Sequence, residues 1–225
     1  HYSSVFEPAD EVGGDYYDIM PLPDGSWLFC LTDVSGHGVP AAMTAAIVKS
    51  LLTVAVRRFT SPATILGQIN RGLLGISPNG NFVTMALARF IPESRTLEFA
   101  SAGHETGFLQ RADGSIQELN STGLVIGVSS AAEWDIREFH VRGAERLVLI
   151  TDGVTEAFAP DQSLFGRSRV SDLLKELPGD SGSVSSLVQR LYSCVVDYRN
   201  GQRQQDDLTI VAVDFQLHSQ PNRHG

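Results

Sequence analysis

Cysteine is scarce in this chain: Cys30 and Cys194 are the only two among 225 residues. Two isolated cysteines do not make a disulfide framework, and they fit a reducing, cytoplasmic setting. Basic residues are also few, 17 Lys and Arg against 26 Asp and Glu, for a formal net charge of -9. That balance argues against nucleic acid as a partner, because phosphate backbones are bound by basic patches. No run of about 18 apolar residues is read in the sequence, so no membrane span is expected in this segment. Repeats and long low-complexity stretches are missing. So are a P-loop of the Gly-Lys-Ser/Thr kind and an Asp-x-Asp-x-Asp-Gly calcium loop. No signal peptide is expected from the residues read here. The chain opens on His1-Tyr2-Ser3-Ser4, already strand-like, which suggests a piece cut from a longer protein.

What remains is an ordinary globular composition, 42% hydrophobic and 19% charged, over a length that suits one domain, or at most two small ones. Strands are expected at 2–7, 82–91, 96–102, 106–110, 115–119, 146–151 and 207–215, with a weaker alternation over 134–141. Helices are expected from Pro40 to Arg58, from Ser61-Pro62 to Leu74, near 167–176 and over 183–199, the last two split by Pro178-Gly179-Asp180. Ser61-Pro62 has the signature of an N-cap followed by proline in the first turn. Hairpins with paired helices indicate an α+β fold with mainly antiparallel sheet. The pattern alone does not say whether there is one sheet or two. Residues 217–225 read as a polar tail.

The acids carry the most information. Gly13-Gly14-Asp15-Tyr16-Tyr17-Asp18-Ile19 begins a strand, and Trp27-Leu28-Phe29-Cys30-Leu31-Thr32-Asp33 is an apolar strand ending in an acid. The turn Pro21-Leu22-Pro23-Asp24-Gly25-Ser26 between them sets Asp15 opposite Asp33, give or take a residue. Opposed Cβ atoms on antiparallel strands stand about 5 Å apart. Two like charges there are unfavourable unless one takes a proton or a cation sits between them. Thr151-Asp152-Gly153 follows an apolar run, and Asp206-Asp207 precedes one. Adjacent antiparallel strands share an edge where one ends and the other starts, so all four acid positions converge at one end of the sheet structure. For any single acid the plain alternative is a turn residue. Oxygen clusters of this kind suit hard divalent cations.

These residues also resemble a family. Val12-Gly13-Gly14-Asp15-Tyr16-Tyr17-Asp18, Thr32-Asp33-Val34-Ser35-Gly36-His37-Gly38, Ser101-Ala102-Gly103-His104, Thr151-Asp152-Gly153 and Gln205-Asp206-Asp207-Leu208-Thr209 occur in the order found in PPM-type metal-dependent serine/threonine phosphatases. The bacterial SpoIIE/RsbU branch is the nearer likeness, and it spans about Tyr2 to Phe215. The resemblance implies two packed antiparallel β-sheets flanked by helices, over a domain of residues 1–216. It implies two Mn²⁺ or Mg²⁺ ions held by Asp15, Asp33, Asp152, Asp206 and the carbonyl of Val34, with Asp33 bridging. A metal-activated water held through Asp15 and Asp33 would attack phosphorus in line, with no protein nucleophile. Asp18, Asp207 and His37 would support the site from outside the ligand set. The implied substrate is a phosphoserine or phosphothreonine on a small STAS-type anti-sigma-factor antagonist. An upstream sensor or receiver domain would control the longer chain, and a homodimer stays open.

The departures from the family pattern are informative. Eukaryotic relatives carry a phosphate-holding Arg five residues before the first metal-binding acid, where this chain has Asp10. That predicts a selective enzyme, poor on small esters. Those relatives have Asp-Gly-His-Gly, whereas this chain has two additional residues between Asp33 and His37, so His37 reads first as a loop residue, and His104 as a hydrogen-bonded turn residue. The competing functional readings are a PPM-like module that binds such a partner with little or no turnover, and a Ca²⁺-stabilised structural domain.

Overall fold

The computed structural model describes residues 1–76, 82–177 and 182–215. The turn expected at 178–180 and the tail expected at 217–225 lie outside the described residues. Two five-stranded antiparallel sheets form the centre. One has the order β1-β10-β9-β6-β7, built from Tyr2–Glu7 (β1), Leu208–Phe215 (β10), Glu145–Ile150 (β9), Gly107–Gln110 (β6) and Ile116–Leu119 (β7). The other has the order β2-β3-β4-β5-β8, built from Tyr16–Pro21, Trp27–Val34, Val83–Ile91, Thr96–Ala102 and Arg137–His140. Helices α1 (Gly38–Ala55) and α2 (Pro62–Leu74) pack on the second sheet. Helices α3 (Asp152–Thr155), α4 (Gly166–Glu176) and α5 (Val184–Arg199) accompany the first, with α4 and α5 filling its outer core. The expected two-sheet α+β sandwich is thus the observed one.

The layering explains the strand sequences. β3 alternates between two apolar cores: Leu28, Cys30 and Val34 meet the α1–α2 layer, while Phe29 and Leu31 face the other sheet. β10 does the same, with Ile210 and Ala212 toward the α4–α5 layer and Val211, Val213 and Phe215 between the sheets. Burial on both faces is why these strands read as continuous apolar runs rather than alternating ones. Each fully buried Leu or Phe contributes about 1.5–3 kcal/mol of transfer free energy.

The helix boundaries follow from local chemistry. Pro62 takes the first turn of α2, and the Ser61 hydroxyl accepts from the Thr64 N–H. α5 opens likewise, with Ser183 accepting from the Ser186 N–H, and closes on Asn200 in the left-handed region. Helix α1 corrects one expectation. Its 18 residues reach a mean hydropathy of 1.5, enough by length and composition for a membrane span. Ala41, Ala45, Val48, Leu52 and Ala55 bury its inner face against the core, while Val39, Met43 and Val54 stay exposed.

Candidate active site

The β2–β3 hairpin sets the first pair of acids. Its ladder pairs Tyr16 with Thr32, and one further step brings Asp15 opposite Asp33. Both lie on the face that carries Phe29 and Leu31 toward the other sheet. The β9–β10 ladder ends at Ile150 opposite Ile210, and beyond it Thr151 and Thr209 continue the pairing. Asp152 therefore leaves the end of β9 where Asp206 enters β10. Four elements deliver carboxylates to one edge of the sandwich.

Asp15 is buried, and its position is fixed by two hydroxyls. Thr151 Oγ1 donates to Asp15 Oδ2 at 2.8 Å, and Thr209 Oγ1 donates to the same oxygen at 2.5 Å. Thr151 Oγ1 in turn accepts the Thr209 N–H at 2.9 Å. Burial holds the Asp15 carboxyl well above the ordinary carboxylate range, the Thr209 hydroxyl opposes this, and the Asp33 charge adds to it. Asp33 is pushed up to about 7, by burial first and then by Asp152, Asp206, Asp207 and Glu156. Asp152 is pushed up to about 6, by burial first and then by Asp206, Glu156 and Glu105. Asp206 sits exposed at the rim, and partial desolvation of its carboxyl raises it as well, with His37 pulling the other way.

Asp207 has a different part. Its Oδ1 accepts the Ala9 N–H at 2.8 Å, and its Oδ2 accepts the N–H groups of Gly14 at 2.6 Å and Asp15 at 3.3 Å. One buried carboxylate thereby clamps the chain that leads into β2. The clamp needs glycine at position 13, where a Cβ would stand 2.4 Å from Asp207 Oδ2. Gly153 is required for a related reason: a Cβ there would lie 2.1 Å from the Asp207 carbonyl oxygen.

His37 occupies the N-cap position of α1 without a side-chain capping bond, and its exposed ring sets Nδ1 2.9 Å from Asp10 Oδ2. The Val34 backbone closes β3 beside Gly14, whose Cβ position lies 3.1 Å from the Val34 carbonyl oxygen. Asp18 is not brought to the group. It pairs with Cys30, so it faces the helix layer on the opposite side of the sheet, where the Tyr16 hydroxyl donates to it. Its one-residue-out-of-phase position along the strand is the physical reason. His104 is buried beneath the site, with Nδ1 2.9 Å from the Thr84 hydroxyl, and Thr84 pairs with Asp33.

Two features were not read from the sequence. The hydroxyls of Thr151 and Thr209 are one; a Thr on each strand beside an acid was the available signal. The other is Glu105, whose side chain accepts from Thr155 Oγ1 at 2.9 Å and pairs with Arg167 at 2.7 Å. No local motif marked it, because its partners come from other elements.

Among the described residues, no three His, Cys, Asp or Glu side chains are already drawn close enough to hold an ion. The chemistry nevertheless fits: the donors are all oxygens, and the carboxylates stand in one another's field and are each shifted upward. A cation among them removes that repulsion, and oxygen-only sets are what Mg²⁺ and Mn²⁺ favour.

Comparison with known proteins agrees with this architecture. Phosphoserine phosphatase RsbU of Bacillus subtilis is 28% identical over 213 residues, covering 93% of this chain and 62% of that protein. Protein IcfG of Synechocystis is 27% identical over 238 residues, covering 94% of this chain and 37% of that protein. The chain thus spans about a third to two thirds of the length of these relatives. The SiaA PP2C domain of Pseudomonas aeruginosa superposes with a TM-score of 0.85 at 24% identity, over 96% of this chain and 86% of that one. The PP2C phosphatase domain of SpoIIE from Bacillus subtilis gives 0.79 at 18% identity, over 95% and 62%. At these identities the structural likeness speaks for the fold. The family model described as Stage II sporulation protein E matches residues 23–216, most of the chain, and the chain belongs to this SpoIIE family.

Proposed function

We propose that this protein is a metal-dependent phosphoprotein phosphatase acting on phosphoserine or phosphothreonine. The observation that supports it best is the convergence of Asp15, Asp33, Asp152 and Asp206 from four elements on one sandwich edge. Those four carboxylates, with the Val34 carbonyl, would hold two Mn²⁺ or Mg²⁺ ions. When bound, the ions supply Lewis acidity, activating water and neutralising charge on the phosphoryl oxygens. Thr151 and Thr209 orient Asp15 by occupying Oδ2, which leaves Oδ1 for a cation. Asp207 keeps the segment before β2 in register with them through its three backbone contacts. The chemistry is positioning plus electrostatic stabilisation.

The substrate in this reading is a small phosphorylated regulator of the STAS type; that RsbU and RsbP are named phosphoserine phosphatases supports phosphoserine as the group removed. The greater length of those relatives supports a further, regulatory part in a longer cytoplasmic chain. The net charge of -9 is in keeping with a protein rather than a nucleic-acid partner. The test is Asp33→Asn, assayed on a phosphoserine STAS protein with Mn²⁺. Loss of most turnover in a folded variant supports the site; near-normal turnover removes Asp33 from it.

A further inference from the structure

A cleft of about 170 Å³ opens beside the acid cluster, lined by Gly153, Glu156, Asp206, Arg199 and Arg203 among others. Its lining carries both signs of charge: the acids Glu156 and Asp206, and the arginines Arg199, at the end of α5, and Arg203, in the α5–β10 connection with Asp206. The two arginines are not equivalent. Arg199 is largely buried and committed, 3.7 Å from Glu7 and donating to Gln204 Oε1 at 2.8 Å. Arg203 is 85% exposed, and its ion pair is a 3.5 Å contact to Asp10 Oδ1. Asp10 spends its other oxygen on His37. One carboxylate therefore ties the segment before β2, the β3–α1 connection and the α5–β10 connection together.

We infer that Arg203, steadied by Asp10, is the side chain that receives the substrate's phosphoryl group at the edge of the acid cluster. The inference rests on the phosphatase reading above. A phosphorylated side chain approaching this edge meets carboxylates, and a protein cation facing them is what the approach requires. The planar guanidinium fork matches phosphate oxygens in pairs. An exposed ion pair such as Arg203–Asp10 is weak and exchanges readily for a stronger, dianionic partner. Asp10 thus presents Arg203 without sequestering it, while Arg199 holds the wall behind.

The experiment compares the wild type, Arg203→Ala and Arg203→Lys in the Mn²⁺-loaded protein. KM for a phosphoserine STAS protein, inhibition by inorganic phosphate, Mn²⁺ affinity and thermal midpoint are measured. Arg203→Ala is expected to raise KM and the phosphate inhibition constant at least tenfold, with Mn²⁺ affinity and midpoint unchanged. Arg203→Lys recovers part of both, since it keeps the charge and loses the fork. Wild-type values of both constants in Arg203→Ala overturn the inference. A wild type without turnover sinks the phosphatase reading instead, and calorimetric titration with inorganic phosphate then decides for Arg203. Phosphate binding that Arg203→Ala weakens tenfold supports its role; equal binding by both proteins refutes it.

Discussion

The buried carboxylates set against one another are where stability and chemistry oppose each other. Asp33, held up to about 7 by burial and three neighbouring aspartates, destabilises the metal-free fold at neutral pH. Asparagine keeps the shape and removes the charge. Asp33→Asn is therefore expected to stabilise the metal-free protein at pH 7.5 by on the order of 1–3 kcal/mol. The same variant should lose the stabilisation that Mn²⁺ gives the wild type. Chemical denaturation with chelator and with Mn²⁺ reads both effects, and a variant less stable than wild type in chelator would count against the assigned repulsion. Thr209→Val tests the orientation of Asp15. It deletes a fully buried donor to a buried carboxylate, at an expected cost of about 1–3 kcal/mol, with weaker Mn²⁺ binding in calorimetry. The acids themselves were legible, since each ends or begins an apolar run. Asp18 lies on the other face from Asp15 because the motif counts residues while the strand alternates faces. Which hydroxyls hold Asp15 was not legible, because that depends on the pairing of Thr151 with Thr209 across a long sequence separation.

Among the elements, α3 shows how tightly the site edge is built. This single turn starts at Asp152 and lies against the beginning of β10. At Gly153 an added Cβ meets backbone rather than a movable side chain, 2.1 Å from the Asp207 carbonyl. Gly153→Ala is expected to displace α3 from β10, costing roughly 2–4 kcal/mol and most turnover. Urea denaturation checks the first, and a wild-type midpoint would show that the turn relaxes freely. Strands and long helices were legible to within a few residues, because apolar runs and the Ser61-Pro62 start are local signals. α3 was not: four residues carry no periodicity. The two-sheet arrangement was not legible from pattern either, because strands buried on both faces read alike whichever sheet they join. It came from resemblance.

Across the whole molecule, two sets of buried groups bend stability with pH in opposite directions. His104, buried beneath the site, is lowered to about 4 from 6.5, by burial against the opposing charge of Glu105. Its contribution is present above pH 6.5 and is lost as pH falls toward 4. Asp33 and Asp152, raised to about 7 and about 6, act the other way. Their stabilising, protonated forms fill as pH falls through those values, and Asp15 and Asp206 are shifted in the same direction. Several acids outweigh one histidine between pH 8 and about 5.5, so the metal-free protein should gain stability on mild acidification. Mn²⁺ should reverse the slope, since protons then compete with the ion. Denaturation midpoints across that range, with chelator and with Mn²⁺, test this; a metal-free protein that only loses stability would contradict it.

The central claim is that this sheet edge is a metal-dependent phosphatase centre. The most direct measurement is phosphate release from a phosphoserine STAS protein, with Mn²⁺ and with chelator, for wild type and Asp152→Asn. The account predicts release that requires Mn²⁺ and disappears in the variant. Release that persists in chelator, or in folded Asp152→Asn at the wild-type rate, would contradict it.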